Sequence, residues 1–518
     1  MILVGGRVYA PRQPGATAVV TRGSKIIFVG DDDGARRHLP EEREVDLAGR
    51  LLTPAFVDAH LHAVQTGLVM AGLDLHDSYS RTDLLDRLAE RAARSPAAAT
   101  ILGQGWDERA WPDPRPPTRA ELDRAAGHRP VYLARVDVHS AVVSSAVLEQ
   151  LPDLATTAGY RADGWLTRDA HHRARDLINR LTSDADRRTG ARRALLQAAS
   201  RGVAAVHELG GPHLGPLEDL QRVREVGAEL GLGVVTYWGE LASPDALARA
   251  RQVGAAGLAG DLCIDGAIGS RTASLRQPYA DADTLGARYL SDAEIVEHVL
   301  DCTRGGLQAG FHCIGDDAVS AAVAGLRRAS ETIGVGPIRA ARHRLEHLEM
   351  VAVRDIATLA ELGVVASMQP AFDAWWGGPG ELYEQRLGPG RAETMNPLGT
   401  LHRAGVRLAL GTDSPVTPIA GWATVRAAVQ HWRPGERLSP AAAFDAASRG
   451  AHWAGRVDRA GTITAGSRAD LAVWDVDPAL VVLDGGLPQL AADLPLPDCA
   501  ATIAGGRVVY AGDQLPIG

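Results

Sequence analysis

The sequence predicts an α/β fold: a (β/α)8 TIM barrel with a small β-sandwich domain built from both chain termini and an inserted subdomain after the first barrel strand. Three observations predict it. Through the middle of the 518-residue chain, short apolar runs alternate with helical stretches, the pattern of parallel strands joined by crossover helices. The two ends read instead as short β segments punctuated by glycine. An interval of more than 130 residues separates the first apolar run from the second, too long for one loop inside a compact domain.

The elements follow in chain order. Ile2 to Tyr9, Ala18 to Thr21 and Lys25 to Val29 are short strands around Gly5, Gly6, Gly23 and Gly30, and Ala469 to Trp474 and Ala501 to Val509 are their counterparts at the other end. Neither set builds a core alone, so residues 1–52 and 457–518 are expected to form one composite sandwich. Residues 53–456 form the barrel. Its expected strands are Ala55 to His60, Gly202 to His207, Leu232 to Trp238, Asp261 to Asp265, Gly306 to His312, Arg342 to Glu346, Val364 to Met368 and Arg407 to Thr412. Residues of about 75–195 form the insert. Catalytic barrels carry insertions in the loops at the C-terminal ends of their strands, so it should cover the barrel mouth. Its Trp106, Trp111, Trp165 and prolines suit a pocket lid and suit surface turns equally.

Composition narrows the function. The chain is 46% hydrophobic and 23% charged, as folded proteins are, and its net charge of −9 leaves no basic face for nucleic acid or anionic lipid. A small-molecule substrate is expected, with no nucleic-acid and no membrane partner. The opening MILVGGRVYA lacks the basic start of a signal peptide, and Cys263, Cys302, Cys313 and Cys499 show no paired spacing. The expected compartment is a reducing cytoplasm. Basic charge is carried almost entirely by arginine; the single lysine is Lys25.

Chemistry concentrates at strand ends. In Asp58-Ala59-His60-Leu61-His62, residues two apart share a strand face, so His60 and His62 can point together at the barrel axis and hold one metal ion. A lone His-x-His also occurs by chance in strands. His312, His347 and Asp413 fall at the ends of the fifth, sixth and eighth runs, however, and ligands from several strand ends are how a barrel builds a site.

The stretch Thr53-Pro54-Ala55-Phe56-Val57-Asp58-Ala59-His60-Leu61-His62 resembles the first-strand motif of the amidohydrolase superfamily. Further stretches resemble its branch of N-substituted formamide deformylases and related metal-dependent hydrolases: Gly103 to Asp107, Asp137 to Ser140, Asp265 to Ala273, His312 to Asp316, Arg342 to His347, Met368 to Pro370 and Gly411 to Pro415. The resemblance runs nearly end to end and implies His60, His62, His312, His347 and Asp413 as metal-site residues. Many members carry a carboxylated lysine that bridges two metals on the fourth strand. Here Asp261 stands at that position and no barrel lysine exists.

Two readings remain. In one, Asp261 replaces the bridge, although its side chain is several bonds shorter. In the other, which reach favours, one divalent ion, Zn2+ by preference, is held by His60, His62, His312 and Asp413 while His347 polarises the substrate carbonyl or the water. Cys263 shares a face with Asp261 and is either a soft ligand or a buried structural thiol. Asp413 is the expected general base toward an amide-like carbonyl. Trp106, His139, Arg271 and Arg344 are the candidate substrate-binding residues, the arginines as partners of a carboxylate, although for Arg344 a pair with Glu346 or Asp316 is the preferred reading, with Trp111, Trp375 and Trp376 as further walls. The expected activity is hydrolysis of a non-peptide C–N bond, amide or formamide-like. The alternatives are a heterocycle deaminase of the mononuclear type, which needs an acid where Ile314 and Gly315 stand, and a non-catalytic barrel scaffold. The resemblance makes a homodimer the expected assembly.

Overall fold

A computed structural model describes residues 1–38, 44–97, 99–480, 486–513 and 515. Eight parallel strands form one sheet in sequence order: β1 Phe56–Leu61, β2 Val203–Gly210, β3 Gly233–Trp238, β4 Gly257–Leu258, β5 Gln308–Cys313, β6 Arg344–His347, β7 Val365–Met368 and β8 Arg407–Leu410. The sheet closes just beyond the strand ends. The Asp413 N–H donates to the His60 carbonyl at 2.8 Å, and the His62 N–H donates to the Ser414 carbonyl at 3.0 Å. Every residue of β1, β5, β6 and β7 is buried, as parallel strands covered on both faces must be. Outward-facing Val206, Leu258, Phe311, Leu345 and Leu408 pack with Leu195, Val223, Val299, Leu326 and Leu359 of the surrounding helices in one apolar core.

The fourth strand departs from expectation. It is the short Gly257–Leu258, and Asp261 to Asp265 is not a continuous strand but touches β5 only at a bridge between Cys263 and His312. Gly260 has φ +84°, a conformation that favours glycine, and turns the chain there. The Asp265 carboxylate accepts the Ile314 N–H at 3.0 Å and the Gly315 and Ser274 N–H groups at 2.8 Å, which holds the segment as a loop.

Two sheets come from the chain ends. One joins Ile2–Val4, Ala18–Arg22, Lys25–Gly30 and Glu44–Asp46; the other joins Arg7–Val8, Leu51–Pro54, Leu471–Asp475, Asp498–Ala504 and Arg507–Ala511. Leu3, Val19, Ile26, Val45, Leu52, Leu471, Val473 and Ile503 share a core between them. Of the terminal range 457–518, residues 481–485, 514 and 516–518 lie outside the described residues. Between β1 and β2 a third sheet runs in the order Trp165–Thr167, Ser140–Val143, Val131–Arg135, Ile101–Trp106 and Leu73–Asp74, flanked by the helices Arg81–Arg94 and Arg168–Leu181.

Candidate active site

His60 and His62 leave the end of β1 with their rings turned the same way. The Nδ1 of His60 lies 3.0 Å from Glu346 Oε2, and the Nδ1 of His62 lies 2.7 Å from the Leu209 carbonyl. Both Nε2 atoms are thereby left for the barrel axis, the arrangement by which metal-binding histidines are oriented. Two carboxylates meet them. Asp413 Oδ1 is 3.3 Å from His60 Nε2 and 3.0 Å from His62 Nε2; Asp261 is 3.6 Å and 3.3 Å from the same two atoms.

These separations test whether the group suits a divalent ion. Ligand bonds of about 2.0–2.1 Å in tetrahedral geometry place neighbouring donor atoms about 3.3 Å apart, the middle of the observed range. His60 Nε2 and Asp261 Oδ1 are also buried with no hydrogen-bond partner among the described residues, an arrangement costly for polar atoms unless something else satisfies them. The residues fit a cation. Among the described residues two potential ligand sets occur, His60 with His62 and Asp413, and His60 with Asp261 and His347. They share one nitrogen, because the other nitrogen of His60 faces Glu346.

The protonation balance agrees. Burial disfavours a charged His60, but Asp413, Glu346 and Asp261 outweigh it and raise its pKa well above the ordinary value; His62 is raised in the same way by Asp261 and Asp413. Burial opposes ionisation of Asp413, yet His60 and His62 hold it well below the usual carboxylate range. Positive charge is thus wanted where the two carboxylates converge. His347 and His312 are each pushed down to about 4, His347 by burial and His60, His312 by burial and His347. Both are held neutral, the form in which an imidazole can offer a lone pair to a cation.

The surroundings hold these side chains in place. Asp58 accepts the Thr412 N–H at 2.9 Å and the His60 N–H at 3.2 Å, tying β1 to the end of β8. His347 Nδ1 is 2.8 Å from Gln369 Oε1, so Nδ1 carries the proton and Nε2 presents a lone pair. His347 and Asp413 have φ of +71° and +55°, strained values for side-chain-bearing residues that cluster at functional sites. His312 turns Nε2 toward the Gly266 carbonyl at 3.3 Å, and its Nδ1 is 4.0 Å from Asp261.

The candidate substrate residues are placed differently from one another. His139 reaches the site, its ring centroid 5.1 Å from that of His312. Trp106 packs between Trp111 and Trp165 in the core of the insert, with its indole N–H donating to the Leu133 carbonyl. Arg271 pairs with Asp281 at 2.6 Å. Arg344 lies inside the barrel, donating to Glu346 at 2.5 Å, to the Ala59 carbonyl at 2.7 Å and to Ser367 at 3.0 Å, with its guanidinium over the Tyr237 ring. It therefore positions Glu346 and, through it, His60. Trp376 and Phe372 do line a cavity with His139, His347 and Asp413, while Trp375 is partly exposed. Asp316 accepts the Arg276 N–H at 3.1 Å. Glu346 and Gln369 were legible only as members of strand-end motifs; Asp261 was legible as the occupant of the lysine position.

A (β/α)8 barrel whose strand ends gather buried imidazoles and carboxylates defines the class of metal-dependent barrel hydrolases. The chain belongs to the amidohydrolase family, whose profile matches residues 43–510. It is 24% identical over 533 residues to the N-substituted formamide deformylase of Arthrobacter pascens, covering 91% of this chain and 92% of that one. It is 25% identical over 514 residues to the protein YtcJ of Bacillus subtilis (strain 168), covering 91% of each. The crystal structure of an uncharacterized metal-dependent hydrolase from Pyrococcus horikoshii OT3 superposes with a TM-score of 0.72 at 26% identity, over 93% of this chain and 98% of that one.

Proposed function

We propose that the protein hydrolyses a non-peptide C–N bond of a small amide or formamide-like substrate, using one divalent ion, Zn2+ by preference. The observation that carries this reading is the convergence of His60 Nε2, His62 Nε2, Asp261 and Asp413 on one point, with the outer nitrogen of each imidazole tied back. His60, His62, Asp261 and Asp413 would hold the ion, and the neutral His347 joins them through its Nε2 lone pair. Because both potential ligand sets use the same nitrogen of His60, one ion serves both. When bound, the ion polarises the scissile carbonyl and brings the pKa of the attacking water to about 7.

The chain supplies the proton path. Asp413, held ionised by its imidazole neighbours, takes the proton of the attacking water and returns it to the departing nitrogen as the C–N bond breaks, giving an acid and an amine. His139 and the Phe372 and Trp376 rings stand beside this point and position the substrate. Kinship with the formamide deformylase supports an acyclic amide over a heterocycle, and Asp316, bound to the Arg276 backbone, is engaged away from a deaminase role. We place the protein in the cytoplasm as a homodimer acting on a small molecule. Among the described residues no helix is long and apolar enough to cross a membrane.

The test is Asp413→Asn. Metal content measured by plasma emission should stay near one equivalent, while turnover of N-substituted formamides falls by about 10²–10⁴-fold. Near-normal turnover would overturn the assignment, and a wild-type protein that keeps no metal after zinc loading would overturn the reading as a whole.

A further inference from the structure

Two adjoining cavities lead away from the cluster between the insert and the barrel, each of about 80 Å³. The inner one is lined by His62, Asp261, His312, His347 and Asp413; the outer one runs out between apolar Leu68, Leu102, Tyr132 and Ile178. Arg175, on the insert helix Arg168–Leu181, lines both. Among the described residues its guanidinium has neither hydrogen bond nor ion pair. The other arginines beside this region are engaged: Arg271 and Arg386 on Asp281, Arg344 on Glu346, and Arg135 on Asp107, Glu108 and Asp137.

Among the described residues the nearby carboxylates are turned to other partners. Asp261 and Asp413 face the histidine cluster, and Asp176 lies 3.5 Å from His213. The neighbouring imidazoles lie within reach of its charge. Burial, then His312 and Arg175, push His139 well below the ordinary value, burial with Arg175 does the same to His171, and burial with His213 and Arg175 takes His172 to about 3. An always-charged guanidinium with five donors, lining the passage to the histidine–carboxylate cluster and without an ion pair among the described residues, suits an oxyanion from outside.

We propose that Arg175 is a specificity-determining residue that binds a carboxylate on the substrate, so that the protein acts on small amides bearing an acid group beside an apolar substituent. This rests on the C–N hydrolase reading above and deepens it. The carboxylate supplies the missing counter-ion, and the walls at Leu68, Leu102 and Ile178 take the apolar part.

The probes are N-formylphenylglycine and N-benzylformamide, which differ by one carboxylate. Binding is measured by calorimetry in the zinc-loaded Asp413→Asn protein. The acid should bind at least about 10-fold tighter than the neutral amide, and Arg175→Gln should weaken the acid by about 100-fold, with Arg175→Lys between them. In the otherwise wild-type protein, Arg175→Gln should lower the acid-to-neutral ratio of kcat/KM by a similar factor, mostly through KM. Equal binding of the two probes, or a shift of less than about 3-fold on Arg175→Gln, would overturn the proposal. Wild-type turnover separates it from the reading beneath. Arg175-dependent binding without turnover of either probe retains the anion site and removes C–N hydrolysis; turnover with binding indifferent to Arg175 does the reverse.

Discussion

At the scale of single residues the site is governed by what holds the outer side of each imidazole. Gln369 is the simplest case, since its Oε1 faces His347 Nδ1 and its own Nε2 has no partner among the described residues. Gln369→Leu should therefore keep the fold and free the His347 ring, lowering metal affinity by about 10–100-fold in a chelator competition. Unchanged affinity with lowered turnover would return His347 to the unligated role expected from the sequence. That expectation had no access to the tautomer, which Gln369 sets from the end of another strand. Away from the cluster, burial raises the Asp373 carboxyl to about 7, opposed by the Trp432 N–H. Its neighbour His431, 3.2 Å away, is pushed down to about 4 by burial, so the two face each other uncharged near pH 6. Below about pH 4 folded and unfolded chains both hold the Asp373 proton; between about 4 and 7 only the folded chain does, so this residue's contribution to stability falls as pH rises through that window. Asp373→Asn removes the effect. The melting temperature of the variant relative to wild type should climb from pH 4 to 7 and level off above it, and a flat difference would show that Asp373 is ionised in the folded protein.

At the scale of elements the decisive contact is the seam between β8 and β1. Gly411 sits so close to β1 that an added Cβ would lie 2.5 Å from the His60 backbone nitrogen and 3.0 Å from Asp58 Oδ1. Gly411→Ala should push the seam apart, costing about 1–3 kcal/mol of stability. Because His60 and Asp413 lie on opposite sides of that seam, zinc affinity in a titration should fall as well. A variant that melts and binds zinc like wild type would mean the two strands can part without moving the ligands. The same elements show what was readable in advance. Seven barrel strands were legible from the sequence, most of them as apolar runs; the sixth, Arg344-Leu345-Glu346-His347, was legible only from its place in the alternation of strands and helices. The fourth was not, because Asp261 to Asp265 has the composition of a strand while Gly260 and the three N–H groups gathered by Asp265 make it a loop. That loop also brings Asp261 to the two histidines, which side-chain length alone had argued against. Trp106 looked like a pocket wall because nothing in its local sequence distinguishes a lid from the core of an inserted sheet. Arg175 was hidden for the opposite reason, as one arginine among several on a charged helix whose partners, or lack of them, depend on the whole fold.

At the scale of the molecule the two ends of the chain and the histidine–carboxylate cluster are joined through one continuous segment, although we propose residues 1–52 with 457–518 and residues 53–456 as separate domains. Leu51–Pro54 pairs with Leu471–Asp475 in the terminal sheet, and after a single residue the same chain becomes β1, which carries His60 and His62. Trp474 locks the junction. It is buried, its indole N–H donates to Thr53 Oγ1 at 2.8 Å, and its ring lies 5.6 Å from Phe56 at the start of β1 and 5.5 Å from Trp422. Trp474→Ala should cost about 3–5 kcal/mol, the usual penalty for emptying a large buried site. If the terminal sheets were an independent appendage, that loss would lower one of two melting transitions and leave zinc in place until the barrel unfolds at its wild-type temperature. If the junction couples them, heating the zinc-loaded variant with a chromophoric chelator should release the metal at the same lowered temperature at which the terminal sheets unfold. The shared strand leaves β1 no fixed origin once the sandwich opens, so we expect the single, coupled transition.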